Sequence, residues 1–273
     1  MKSAVTVTLV AETRTGPFVF SDGLADAFAR AAALGFDGIE IFPSSAGELD
    51  AGEVRDLCAR HGLKVAAVGT GAGWVRHKLR LTDADPVVRR RAVEFVARII
   101  DFGGSFGAPA IIGSMQGRAE GTVERARALG WLAQALEELG PRAEAHGVPL
   151  LYEFLNRYET NLCNGVAEAL ELIRPLRTRN VRLLCDLFHM NIDEASLPAA
   201  LRQAGPAIGH VHFADSNRCA AGLGHTDFPP IVAALREVGY PGYLSAEVFA
   251  RPNADTAAAQ TIATFRRLLA PAP

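Results

Sequence analysis

The chain has 273 residues, of which 49% are hydrophobic and 21% charged, a balance that excludes an intrinsically disordered protein. Its formal net charge of -2 gives no broad attraction for nucleic acid or an anionic membrane, so a small neutral ligand is the simpler partner. The four cysteines, Cys58, Cys163, Cys185 and Cys219, form no C-x-x-C pair, which argues against a zinc ribbon or a disulfide framework and for reduced thiols.

The first apolar run, 4–11, is too short to span a membrane and lacks a signal-peptide pattern, so a cytoplasmic protein is expected. From there, short β-branched runs alternate with stretches of helical periodicity. Strands are predicted at 5–10, 38–41, 65–68, 110–112, 150–154, 182–185, 209–213 and 243–247. Helices are predicted to begin near Gly23, Ala51, Pro86, Val123, Gly165, Leu197, Phe228 and Asp255. Gly35, Gly62 and Gly239 stand where a left-handed residue would end a helix and turn the chain into the next strand. No linker or low-complexity tract interrupts the rhythm, and 270–273 reads as a frayed tail. Eight βα units in a chain of this length predict a single (β/α)₈ TIM barrel domain over 1–273. An open doubly wound sheet would usually carry a Gly-rich turn after its first strand, where this chain has Ala11-Glu12-Thr13-Arg14-Thr15.

Barrel enzymes place their chemistry at the C-terminal ends of the strands. Strand five ends in Glu153, strand six in Asp186 and strand eight in Glu247, while strand seven carries His212. Each has an ordinary alternative: a lone strand-end acid often caps a helix or joins an ion pair, and Asp186 fits a cap for the next helix. Alternation puts His210 and His212 on one face, so either can face the mouth; His212 lies nearer to it, and His210 fits a satisfied core histidine. Three carboxylates aimed at one opening would repel each other without a cation between them. Carboxylates with one imidazole suit one divalent metal ion, Mn²⁺, Mg²⁺ or Co²⁺.

The segments Glu153-Phe154-Leu155-Asn156-Arg157-Tyr158-Glu159-Thr160 and Asp186-Leu187-Phe188-His189-Met190-Asn191, with His212, Asn217-Arg218, Gly224-His225 and Glu247-Val248-Phe249 in order, are similar to a known family. They resemble the D-tagatose/D-allulose (psicose) 3-epimerases of the xylose-isomerase-like barrel superfamily. Phe154 stands where that family usually has proline, and Ala214-Asp215-Ser216 replaces its usual Gly-Glu pair.

The resemblance implies Glu153, Asp186, His212 and Glu247 as metal ligands, with Mn²⁺ the first choice, and Glu159, His189 and Arg218 as substrate contacts. Glu159 and Arg218 otherwise read as solvent-facing loop charges, and His189 as a cap of the helix after strand six. The resemblance further implies ketose C3 epimerisation, in which Glu153 and Glu247 move a proton through an enediolate, and it allows a homodimer. A metal-dependent lyase or dehydratase acting on a keto-sugar, keto-inositol or 3-keto-glycoside would begin with the same proton removal. An abasic-site endonuclease of the same superfamily needs further histidine ligands, and strands three and four end in Gly69-Thr70 and Gly113-Ser114. A non-catalytic binding protein would leave the metal constellation unexplained.

The loops after strands three and four, 69–74 and 113–118, match none of the family's sugar contacts but open on the same mouth. Trp74 and Met115 are candidates to line it, Met115 otherwise as packing. Gln116 and Arg118 are candidates to bind a polar substituent, or else solvated. The Gly-rich 219–225 loop suggests either a phosphate site or a shaped turn.

Overall fold

A computed structural model describes residues 1–270, so the tail expected at 270–273 lies, from residue 271 on, outside the described residues. The strands are β1 (Lys2–Thr8), β2 (Gly38–Phe42), β3 (Lys64–Gly69), β4 (Ala110–Ile112), β5 (Leu150–Glu153), β6 (Val181–Asp186), β7 (Ile208–His212) and β8 (Tyr243–Ala246). All neighbours pair in parallel, and β1 pairs with both β2 and β8, which closes the (β/α)₈ barrel.

The helices among the described residues are α1 (Leu24–Leu34), α2 (Ala51–His61), α3 (Ala72–His77), α4 (Pro86–Gly104), α5 (Arg125–Ala145), α6 (Val166–Ile173), α7 (Leu187–Asp193), α8 (Leu197–Ala204), α9 (Phe228–Glu237) and α10 (Ala254–Leu269). Asp50, Asp85, Ser196 and Asn253 cap four of them through their side chains. Gly35, Gly62 and Gly239 adopt the left-handed φ values expected of them, 75°, 68° and 69°. Among the described residues no helix is long and apolar enough to cross a membrane.

Two features differ from expectation. β1 starts at Lys2 rather than Val5, because Lys2 and Ser3 pair with Tyr243 and Leu244 and the Asp37 carboxylate accepts from both the Ser3 amide, at 2.7 Å, and its hydroxyl, at 2.9 Å. Two short helices, α3 and α7, occupy segments where no helix was predicted. The Gly71-Ala72-Gly73 start of α3 has poor helix propensity, and α7 is begun by Asp186, which accepts from the Phe188 amide at 2.8 Å.

The period-two alternation sorts the barrel interior into two halves. Ala67, Ile111, Leu151 and Leu184, on β3 to β6, form a separate buried apolar cluster. On the opposite arc, Thr6, Glu40, His210 and Ser245 are buried polar residues. Two residues further along β5, β6 and β7, the same inward register brings Glu153, Asp186 and His212 to the mouth.

Candidate active site

Glu153, Asp186, His212 and Glu247 each aim one ligand atom into a common space, and these four atoms lie within 4.8 Å of one another. Three are contributed from strand ends, and Glu247 is the residue after β8. His212 Nδ1 stands 3.6 Å from Glu153 Oε1, from Asp186 Oδ2 and from Glu247 Oε2. Of these atoms Glu153 Oε1, Asp186 Oδ2 and His212 Nδ1 are buried without a hydrogen-bond partner. A buried polar atom left unpaired costs free energy, and several converging on one point fit a cation. Carboxylate oxygens with one imidazole nitrogen suit a divalent ion such as Mn²⁺, Mg²⁺ or Co²⁺. Asp186 is both the helix cap and a member of the cluster, with Oδ1 serving α7 and Oδ2 the cluster.

Sequence reasoning did not find Glu40, on β2, the residue that orients this imidazole. It is 5% exposed and lies between two histidines, with His212 Nε2 3.1 Å from Oε1 and His210 Nε2 2.8 Å from Oε2. Both rings donate to the carboxylate, which fixes the tautomer of His212 and leaves Nδ1 free for the cluster. His210 is therefore the satisfied core histidine and His212 the one at the mouth. The signal for Glu40 was present as a lone carboxylate between Ile39 and Ile41 in an apolar strand.

Burial pushes the Glu153 carboxyl up to about 7, a rise that its His212 contact opposes. Burial likewise raises Glu247. In Asp186 burial is outweighed by the neighbouring His189 and His212 imidazoles and the Arg218 guanidinium, which hold it at about 2. Burial would also raise Glu40, but the His212 charge and the two histidine hydrogen bonds keep it well below the carboxylate range. For His212 burial is overcome by the charges of Glu40 and Glu247, which raise the imidazole well above its usual value, so a cation would take the place of the Nδ1 proton.

The expected substrate contacts gather around the cluster. His189 lies inside α7 rather than capping it, with Nε2 3.6 Å from Asp186 Oδ2 and 3.8 Å from Glu153 Oε1. Asn156, to which no role was given, donates Nδ2 to His189 Nδ1 at 2.6 Å and so turns the Nε2 proton toward the cluster. Burial lowers the His189 pKa, which favours this neutral form. Arg218 is no solvent-facing charge: its Nη2 donates to Glu247 Oε2 at 2.6 Å, and its guanidinium stands 4.8 Å over the Phe188 ring. Its backbone is left-handed, with φ 57°. Glu159 is half-exposed, accepts from Asn156 at 3.2 Å and lies 3.6 Å from Arg218 Nη1.

Glu153, Glu159, His189, His212, Arg218 and Glu247 line a cleft of about 220 Å³ together with Phe18 and Phe42. A larger groove, about 750 Å³, lies outside the barrel between α5 and α6 and holds none of them. Met115 is fully buried packing, and Gln116 is neither solvated nor at the mouth. The Gln116 amide donates to the carbonyls of Gly113 and Glu153 and accepts from the Tyr152 hydroxyl. The Gly-rich 219–225 loop is a shaped turn: the Asp215 carboxylate accepts from the Gly222 amide at 2.8 Å and the Thr226 amide at 3.0 Å, so those amides face an anion of the chain's own.

Gly113 shows how tightly Glu153 is seated, since a Cβ there would overlap Glu153 Oε2. Gly113→Ala is expected to weaken Mn²⁺ binding roughly 10–100-fold while leaving the circular dichroism spectrum unchanged. Calorimetric titration with Mn²⁺ checks it; wild-type affinity in the variant would show that this close contact does not govern the carboxylate.

Residues 28–268 match the family model described as xylose isomerase-like TIM barrel. An L-ribulose 3-epimerase of Mesorhizobium japonicum is 33% identical over 240 residues, 86% of this chain and 79% of the relative. A 3-dehydro-D-guloside 4-epimerase of Escherichia coli is 35% identical over 111 residues, 41% of each chain. A solved L-ribulose 3-epimerase structure superposes with a TM-score of 0.83 at 26% identity, covering 98% of this chain and 94% of that one. The chain thus belongs to the xylose isomerase-like TIM barrel family and is an isomerase-class enzyme.

Proposed function

We propose that this chain is a divalent-cation-dependent sugar epimerase that inverts C3, the carbon beside the carbonyl of a ketose. The observation that carries the reading is the convergence of four donor atoms, three of them buried and unpartnered, at the mouth of the barrel. Its relatives named L-ribulose, D-psicose and ketose 3-epimerases support the same reaction class.

Glu153, Asp186, His212 and Glu247 would hold the ion, Mn²⁺ first and Mg²⁺ or Co²⁺ in its place. When bound, it supplies a Lewis acid for the negative charge that develops on the substrate oxygens. Glu153 and Glu247 stand at the two ends of the arc from β5 to β8, with Asp186 and His212 between them. One glutamate removes the C3 proton and the other returns a proton to the opposite face, which inverts the centre. Arg218 and His189 hold substrate oxygens, and Glu159 orients His189 through Asn156 or meets a hydroxyl. Phe18 and Phe42 limit water around the reacting carbon.

The test is hydrogen exchange in D₂O, read by NMR, on D-fructose, D-allulose and D-tagatose with protein loaded with Mn²⁺ and with protein stripped by EDTA. Deuterium entering C3 together with epimer formation, lost on stripping and restored by Mn²⁺, is expected. Exchange that is indifferent to the metal would sink the reading, and loss of a substituent without epimer would move it to the lyases.

A further inference from the structure

The cleft at the cluster continues past Glu159. A second chamber of about 310 Å³ adjoins it, and Ser114, Leu155 and Glu159 line both. Its far side is formed by Trp74 and Arg118, from the two loops that the family resemblance left unmatched, and by Arg80 and Glu120 just beyond them.

We propose that this chamber binds a second sugar ring, so that the substrate is a keto-sugar carrying a glycosidic substituent. The proposal rests on the cluster being the reacting centre. Three observations carry it. The second chamber is larger than the 220 Å³ cleft that would hold the reacting sugar, so one ring leaves it unfilled. Its lining joins an indole ring and a leucine to several hydrogen-bonding groups, the mixture that suits the apolar face and hydroxyl edge of a pyranose. Its lining carries no net charge, with two arginines and two glutamates, and Arg80 is already paired with Asp83 and Glu120. Among the described residues Arg118 has no carboxylate partner and is held by the Tyr158 and Glu159 carbonyls, so it is free to donate to a ring hydroxyl, and inorganic phosphate that failed to compete with the sugar would mark the occupant as neutral.

The wall is also preformed. Arg118 Nη1 donates to the Tyr158 carbonyl at 3.1 Å, Asn161 exchanges two 2.9 Å hydrogen bonds with the backbone of Ala119, and the Thr160 hydroxyl donates to the Gly117 carbonyl at 2.9 Å. Little ordering is then left to be done on binding.

The experiment compares D-fructose with isomaltulose and lactulose, ketoses that carry a second hexose on O6 and O4 respectively. Deuterium uptake is measured with the Mn²⁺-loaded full chain. At least one disaccharide is expected to react with a kcat/KM roughly tenfold or more above fructose. Trp74→Ala and Arg118→Ala should each reduce that value roughly tenfold further for the disaccharide than for fructose. Binding is read separately in Trp131→Phe, where Trp74 is the only tryptophan left of two. Its fluorescence should change with the disaccharide and not with fructose. Fructose exchange with no gain from a second ring and no fluorescence change overturns the chamber and leaves the cluster reading standing. A fluorescence change without exchange on any sugar supports the chamber and overturns the cluster reading. Neither signal overturns both.

Discussion

Replacing Glu247 by glutamine is expected to cut proton exchange at the substrate carbon roughly 10²–10⁴-fold, and Glu153→Gln to do the same. The amide keeps the shape of each side chain but can no longer take up a proton. In Glu247→Gln the 2.6 Å bond from Arg218 also loses its charged acceptor, so the guanidinium is freed toward Asp186, already 3.8 Å away. Both variants also remove one negative ligand, so turnover must be measured at Mn²⁺ concentrations that saturate each protein. NMR then separates the roles: a variant that binds Mn²⁺ and substrate yet takes up no deuterium has lost a proton carrier. Exchange within about threefold of wild type under saturation would remove that glutamate from the proton-transfer pair.

The second large effect is expected at Glu40, which lines the cleft and meets the cluster through His212. Glu40→Ala leaves two buried imidazole N–H groups without an acceptor, and breaking a buried charged network of this kind costs about 3–5 kcal/mol. Glu40→Gln is expected to be milder, since its amide oxygen still accepts from one histidine while its amide nitrogen faces the other. Mn²⁺ affinity should fall roughly 10–100-fold in the glutamine variant, because His212 is no longer held in the tautomer that presents Nδ1. Urea unfolding gives the first quantity and Mn²⁺ titration the second. Equal Mn²⁺ affinity in Glu40→Gln and wild type would mean that ring packing alone aims His212.

The barrel was readable because short, largely apolar and β-branched strands recur at intervals, and glycines mark the left-handed turns between units. The misplaced start of β1 has another cause: Lys2 and Ser3 are polar by composition, but both pair with β8 and Asp37 holds Ser3. At the site, Glu153, Asp186 and His212 were legible because they end apolar strands, where a polar residue is conspicuous. Glu40 lies in mid-strand, and nothing local in its sequence says that its carboxylate meets two histidines 170 and 172 residues away. Arg218 and Glu159 read as loop charges because the fold that brings them within 3.6 Å of each other is built from separate units. Gln116 was misjudged for a related reason: its amide is consumed by carbonyls of β4's own loop and of β5, contacts that no spacing reveals.

The hydrogen bonds that fasten the loop after β4 to the loop after β5 bear on how such enzymes diverge or can be redesigned. Gly117, Arg118 and Ala119 on one side and Tyr158, Thr160 and Asn161 on the other form a single latticed rim, with the side chain of one loop serving the backbone of the other in both directions. A graft that carries one loop into a sister barrel would orphan half of those backbone groups. The transferable unit of specificity in this scaffold is the pair of loops, inherited or exchanged together.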